Sequence, residues 1–580
     1  MRSMLGAIPH RGPDGTGIFN SMQVTLGHRR LSIIDLSDDA AQPMSRGSLT
    51  VVFNGEIYNY LELRAELAAM GQAFVTDSDT EVLLAAYEAW GPDCVTRFNG
   101  MWAFVLFDFD NATVVCSRDR FGEKPLLYSL DSRGLVVGSE ARQFHAVGIG
   151  TDPDLETVRD FVVFGASLDM ERTYYSGIQS LPPATNMTVS LADRNITFHG
   201  FYIPGLSNEH SGLDQQALLG ELDLHLRRSV RIRLRSDVPV GMLLSGGVDS
   251  SAIATIAGPS YLEETGRPLM ALTAASGDSS NDEAEYARMV AHSCHAEWIP
   301  VRVSPEVTRE AWAEATRTIE QPLGSSSLVM QLMVMAHAKK AGITVLLDGQ
   351  GADESWMGYG RYAVAALHDH SWHNKLSFAR GSARNSGLGT ARWLAQCVYF
   401  SLPSVAAARA RHRLAPIGLT PDRDWFKSRF AGLISANGAT VRETQLKELH
   451  GPQLTRLLRF ADLTSMASSV EDRLPYLDHQ LVDLALSLPT SLLFKGGWSK
   501  WPLRNHLSKS VSADVAWRKR KIGFEAPRDA FSPRDPDAQA LIRNSRLLRE
   551  MGLRLDDPGG LARAVAWRLF AVSLWEREIL

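Results

Sequence analysis

Cysteine is scarce, with four among 580 residues: Cys94, Cys116, Cys294 and Cys397. Their spacing fits neither a zinc site nor a disulfide framework, which excludes a small stapled fold and suits a reducing cytoplasm. No apolar run reaches the roughly 18 residues of a spanning helix, so no membrane span is expected. The amino terminus lacks a basic stretch followed by an apolar one, so no secretion signal is read. Charge of one sign is also lacking. A formal net charge of -5 gives no general attraction to nucleic acid or to an anionic membrane. Internal repeats and low-complexity tracts are absent.

What is present is an ordinary soluble balance, 45% hydrophobic and 22% charged. The length exceeds what one core organises, so two or more domains are expected. Residues 1–145 read as strand-rich with some helix. TVVFNGEIY (50–58) is an apolar run ending at Asn-Gly, YLELRAELAAMG (60–71) has helical spacing, and 101–110 with 113–119 read as a hairpin. Over 150–205 the pattern weakens, and the linker is placed at 200–214.

From 215 the period changes. Residues 218–234 read as a helix, and 238–258 as strand, glycine-rich turn and helix. PLMALTAAS (268–276) reads as a buried strand, followed by a helix through 282–292. ITVLLDGQGADE (343–354) repeats the strand-loop pattern. Strands alternating with helices predict a parallel sheet covered on both faces. Residues 368–460 hold fourteen Lys/Arg against five Asp/Glu. That stretch is either a solvated helical surface or a patch receiving an anionic substrate or partner.

The chemistry-bearing stretch is Ser245-Gly246-Gly247-Val248-Asp249-Ser250-Ser251, directly after an apolar run. Paired glycines let phosphate oxygens approach main-chain N–H groups, and the next helix presents its positive end. Ser245, Ser250 and Ser251 supply hydroxyls. Asp249 repels bare phosphate, so it suits a Mg²⁺ ion. The spelling is not that of the usual phosphate loop with its lysine. Asp348-Gly349-Gln350-Gly351-Ala352-Asp353-Glu354 forms a second such loop, with Asp353 as a second Mg²⁺ carboxylate. Two loops at neighbouring strand ends would face one crevice. Arg518-Lys519-Arg520-Lys521 adds positive charge suited to a phosphorus centre gaining charge.

Residues 243–251, 348–360, 470–479 (VEDRLPYLDH) and 518–527 resemble the synthetase domain of glutamine-dependent asparagine synthetases. Residues 10–17 (HRGPDGTG), 28–36, 54–59 (NGEIYN), 78–81 and 118–125 resemble the glutaminase domain of the same enzymes. The resemblance implies two units. Residues 1–205 would be an α+β sandwich of the N-terminal-nucleophile type, incomplete at its first strand. Residues 215–580 would be an α/β parallel-sheet domain of the ATP-pyrophosphatase type. It implies that ATP adenylates a carboxylate, releasing diphosphate, and that ammonia from glutamine then displaces AMP. By position, Leu244, Ala274, Asp348 and Gly349 resemble ATP contacts, together with the 245–250 loop (Ser245, Gly246, Gly247, Ser250). Asp249 and Asp353 resemble magnesium–pyrophosphate residues, and Lys521 the lysine stabilising the adenylated intermediate. Arg30, Asn54, Gly55, Glu56 and Asp79 resemble glutamine-holding residues. Arg30 suits the substrate's carboxylate, Glu56 and Asp79 its ammonium, and Asn54 with the Gly55 N–H an oxyanion.

Two departures stand out. The family's glutaminase nucleophile is an amino-terminal cysteine acting with its own α-amine. Here Met1-Arg2 stands instead, and Cys94 and Cys116 carry no free amine. As written, the domain is expected not to hydrolyse glutamine. Either the start lies upstream, which the survival of Arg30, Asn54, Glu56 and Asp79 favours, or the protein uses free ammonia. Second, many relatives carry Glu where Gln350 stands, and a neutral amide accepts no proton from attacking ammonia. The stretch Gly324–Ser327 also lacks an arginine that aspartate-specific relatives have nearby. Aspartate is the acceptor that the resemblance implies, and these departures set a sugar uronate or other carboxylate beside it as the alternative. A non-catalytic scaffold is the second alternative. The expected partners are small molecules only: ATP, the carboxylate and glutamine or ammonia. The oligomeric state is left open, a homodimer included.

Overall fold

The computed structural model describes residues 1–132, 134–205, 212–276, 283–401, 413–419, 440–519 and 530–580. The first half is built on strands β1 (Gly15–Asn20), β2 (Thr25–Arg30), β3 (Met44–Arg46), β4 (Leu49–Ile57), β5 (Gly100–Asp108), β6 (Thr113–Arg118), β7 (Leu127–Asp131), β8 (Gly134–Gly138), β9 (Gln179–Ser180), β10 (Thr185–Ser190) and β11 (Ile196–Gly200). Six of them form an antiparallel sheet in the order β11-β10-β6-β5-β4-β3. The alternation of β5 decides its packing. Trp102, Phe104 and Leu106 meet the helices Tyr60–Ala69 and Asp79–Trp90 on one face. Ala103 and Phe107 meet Leu26, Leu126 and Tyr128 of a second strand layer on the other. That second layer is in two pieces, the ribbon β1-β2 and the group β8-β7-β9. The short helix Arg2–Gly6 buries Met4 and Leu5. Residues 150–205, where the sequence pattern weakens, carry the helix Leu155–Phe164 and three strands.

The second half opens with the helix Gln215–Ile232, and residues 206–211 of the expected linker lie outside the described residues. Its strands are β12 (Val240–Leu243), β13 (Met270–Ser276), β14 (Glu297–Val303), β15 (Val345–Leu347) and β16 (Glu471–Arg473). All are parallel, in the order β14-β13-β12-β15-β16. The helices Val248–Thr265 and Ala284–Ser293 cover one face, and Ser327–Lys340 covers the other. The expected doubly covered parallel sheet is therefore what forms. The chain leaves β12 toward β13 on one side and later returns to pair β15 on the other. The loops after β12 and β15 flank that switch, where open α/β sheets bind ligands.

The halves meet through buried charge. Arg11 reaches Asp462 with both terminal nitrogens, at 2.8 and 3.0 Å, and Glu140 at 2.9 Å. Asn99 donates to Asp478 at 2.7 Å, and Arg473 of β16 donates to Glu56 of β4 at 3.1 Å.

Candidate active site

The loop after β12 is shaped by glycine. Gly246 has φ +70°, and a Cβ there would lie 2.6 Å from the Ala287 nitrogen. Only a bare backbone fits that bend. Ser245 and Ser250 face each other with hydroxyl oxygens 3.1 Å apart, and the Gly247 N–H donates to Ser245 Oγ at 3.3 Å. Leu244 is fixed to β13: its N–H donates to Leu272 O at 2.8 Å, and its carbonyl accepts from Thr273 Oγ1 at 2.6 Å.

The loop after β15 lies directly against it. A Cβ on Gly349 would be 3.1 Å from Ser250 N and 3.3 Å from Asp249 Cβ. The Gly349 N–H donates to Asp348 Oδ1 at 2.6 Å. Burial pushes the Asp348 carboxyl up to about 6; that hydrogen bond opposes the shift, and the charge of Asp249 adds to it. Gly351 has φ +90° and leaves no room for a Cβ against Leu477.

Asp249 and Asp353 come together. Each gives one oxygen to the same ammonium: Lys500 Nζ donates to Asp249 Oδ1 at 2.6 Å and to Asp353 Oδ1 at 2.5 Å. Two carboxylates within reach of one cation are the donor set that a phosphate-bound Mg²⁺ takes from protein. The lysine nitrogen stands where such an ion would be drawn, so the residues fit the ion. Lys500 is buried and has φ +53°, a conformation a non-glycine residue adopts only when its surroundings impose it. Asp249 is further anchored where Tyr476 OH donates to its carbonyl at 3.0 Å.

These groups line one crevice of about 1130 Å³. Leu244, Ser245, Gly247, Asp249, Ser250, Ala274, Asp348, Gly349, Gln350 and Asp353 of the sequence expectation all line it. Gly246 shapes the bend behind its neighbours. Lys521 lies outside the described residues. Its neighbours Arg518 and Lys519 line the crevice, and Arg518 is held to Glu283 and sits over the Tyr286 ring.

In the first half, Asn54, Gly55 and Glu56 follow one another on β4, and Asp79 opens a helix beside them. Asp79 accepts from the Ile57 N–H at 3.0 Å. A Cβ on Gly55 would lie 2.1 Å from Met101 O. Burial pushes Asp79 up to about 6, against the pull of its backbone hydrogen bond. Burial, then the charge of Asp79, drives Glu56 well above the usual carboxylate range, while Arg473 pulls the other way. Asn54 Nδ2 and Glu56 Oε1 are buried without a partner, as polar groups awaiting a ligand would be. Arg30 spends its fork on the carbonyls of Asp35 and Ser37. Cys94 and Cys116 are both buried, and burial pushes both thiols up, Cys116 to about 12.

Sequence reasoning missed Lys500 and Tyr476. The left-handed backbone at Lys500 has no spelling in GGWSK. Tyr476 lay inside VEDRLPYLDH, but nothing in that string says which loop it would meet.

Family models match both halves: a glutamine amidotransferase domain over residues 1–202 and an asparagine synthase over residues 221–556. The chain is 30% identical over 552 residues to the glutamine-hydrolyzing asparagine synthetase 1 of Bacillus subtilis (strain 168), covering 91% of this chain and 84% of that one. It is 30% identical over 559 residues to a putative glutamine-hydrolyzing asparagine synthetase of Mycobacterium tuberculosis, covering 89% and 82%. It is 28% identical over 593 residues to a Gibberella zeae protein named amidase chry2, covering 92% and 86%. The chain belongs to the glutamine-hydrolysing asparagine synthetase family, an amidotransferase domain followed by an asparagine synthase domain.

Proposed function

We propose that the protein is an ATP-dependent carbon–nitrogen ligase that adenylates a carboxylate, aspartate being the expected acid, and converts it to the amide. The observation that carries this is the pairing of Asp249 and Asp353 on one cation between two glycine loops at a sheet switch point.

The residues divide the work. Main chain at Leu244 and Ala274 is placed for the nucleoside, and the 245–250 loop for the phosphates. Asp249 and Asp353 would hold Mg²⁺, which when bound offsets the charge of the triphosphate. Lys500 then turns from the carboxylates to phosphate oxygen. The acceptor's carboxylate oxygen attacks the α-phosphorus and diphosphate leaves. Lys521 is the proposed second cation, stabilising charge that grows on that phosphorus. Adenylation matters because carboxylate oxygen is a poor leaving group and AMP a good one. Ammonia then forms the C–N bond as the bond to AMP breaks, and its extra proton departs to solvent, since Gln350 cannot take it.

Glutamine is the proposed nitrogen donor, with Arg30, Asn54, Gly55, Glu56 and Asp79 as the residues proposed to hold it. Neither Cys94 nor Cys116 can be the nucleophile there, because both are buried with raised thiols. Incubation with ATP, Mg²⁺, ammonium and aspartate tests the proposal: AMP and diphosphate are expected, and ADP with phosphate would reject it.

A further inference from the structure

From 370 to 421 the sequence holds seven Lys/Arg and not one Asp or Glu. The stretch opens with two helices, Trp372–Asn385 and Thr390–Ser401, joined by a short link. Ala383 packs with Trp393, and Ala379 and Cys397 join the same cluster, so the helices run antiparallel. Trp393 and Cys397 thus settle the inward side of the second helix. Its outward side has no cover. Ala391, Leu394, Ala395 and Val398 recur at the spacing of one helical face, and all four are exposed, Leu394 by 51% and Val398 by 52%. Arg392 is the one charged residue of that helix. A helix that is apolar on both sides is normally buried on both. Single exposed apolar side chains need no explanation, but a contiguous stripe marks a contact.

The first helix supplies the charge. In the antiparallel register, Arg384 and Arg380 stand alongside Ala391 and Ala395, and Leu376, exposed by 59%, stands near Val398. The two arginines are one helical turn apart and exposed, and neither pairs with a carboxylate among the described residues. Neither lines the crevice. Leu388, in the link, is both exposed and part of the crevice wall, so the stripe begins at the crevice rim.

We propose that this hairpin docks another protein through an acidic amphipathic helix. The partner's apolar face would seat on the stripe from Ala391 to Val398, with a row of Asp or Glu facing Arg380 and Arg384. Charge selects an acidic partner, since no carboxylate of the stretch offsets those guanidiniums. The stripe selects a helix. Its two alanines let a second helix approach closely. They contribute little to insertion in a bilayer, which interfacial helices draw from large apolar and aromatic side chains. Nucleic acid brings no apolar face to cover the stripe, and a chain of net charge -5 does not attract it. A second copy of the hairpin would set arginine against arginine.

The test uses the full chain and two labelled helical peptides that differ in one row. Both carry Leu and Ala at i, i+3, i+4 and i+7; one has Glu beside that stripe and the other Lys. Fluorescence anisotropy should show the Glu peptide binding at least about tenfold tighter. Arg380→Glu together with Arg384→Glu should reverse that preference. Leu394→Asp should weaken binding of the Glu peptide at least about tenfold. Circular dichroism confirms that each variant is folded, and the charge reversal decides the matter even if Leu394→Asp does not fold. Equal binding of the two peptides would overturn the proposal, as would a preference that survives the double reversal. Tighter binding of phosphatidylserine vesicles or single-stranded RNA than of the Glu peptide would also overturn it. So would self-association, seen by sedimentation, that Leu394→Asp abolishes.

Discussion

Asp249 and Asp353, 104 residues apart in sequence, share one ammonium: Lys500 Nζ lies 2.6 Å from the first and 2.5 Å from the second. Two carboxylates at this spacing repel unless a cation stands between them, and the lysine meets that need before nucleotide arrives. On the proposed function, these two carboxylates would hold a divalent ion in the lysine's stead and so offset the negative charge of the triphosphate. Asp249→Asn and Asp353→Asn should each lower adenylation at least ~100-fold, about 2.7 kcal/mol of transition-state stabilisation. Initial rates of pyrophosphate exchange check this, and an undiminished rate in either variant removes that residue from the mechanism.

Replacing the lysine separates its two roles. Lys500→Gln leaves the carboxylates facing each other with no resident cation, so nucleotide-free protein should now bind Mn²⁺ that the native protein does not. Adenylation should still fall, because the phosphates lose a positive partner. Electron paramagnetic resonance of Mn²⁺ without ATP reads the first effect. A variant that binds no more Mn²⁺ than the native protein would show that the lysine does not guard an ion position.

Glycine packing makes a sharper case. A Cβ on Gly358 would lie 1.7 Å from Asp353 Oδ1 and 2.3 Å from Lys500 Cε. Gly358→Ala must push both groups aside, so exchange activity should be lost while the far half of the molecule stays folded. Near-native activity would mean that the arrangement of Asp353 and Lys500 is not needed.

The strand–loop–helix at 240–258, its partner at 343–354 and the parallel sheet were legible because apolar runs and paired glycines are local signals. β16 was not. Its residues Glu471, Asp472 and Arg473 are all charged and all buried, so no apolar pattern announces a strand. The burial of Arg473 is offset from far away in sequence, where it meets Glu56, 417 positions earlier. Lys500 was hidden for the same reason, since its role depends on a left-handed backbone and on two loops that approach only in the fold. Glu56 shows the limit from the other side. Its motif was readable, but its bond to the second domain was not.

Arg473→Met should therefore be among the most damaging changes outside the crevice. It strips the compensating charge from buried Glu56 and Glu471, at about 3–5 kcal/mol. Urea unfolding should show the loss, and Glu56→Gln in the same chain should restore part of it. Additive effects of the two changes would mean that they are not coupled.

Acid should act beside the Arg11 contact between the halves, at Glu140, which shares Arg11 with Asp462. Burial works to raise Glu140, but the hydrogen bond from His10 and the charges of Arg11, His10 and Arg142 outweigh it and hold the carboxyl at about 2. A folded value below the ordinary 4.5 stabilises the protein above that pH, and the contribution fades as pH falls toward 2. The stability difference between native protein and Glu140→Gln should be constant above pH 5 and shrink below about 4.5. Unfolding midpoints at several pH values check this, and a difference independent of pH would contradict the pairing.

The most direct test of the crevice follows the oxygen. With ¹⁸O in the acceptor carboxylate, attack on the α-phosphorus leaves one labelled oxygen in AMP when ammonia displaces it. Mass spectrometry of the nucleotide should find AMP carrying a single ¹⁸O. Label in inorganic phosphate beside ADP would place the chemistry at the γ-phosphorus and contradict the assignment of Asp249 and Asp353.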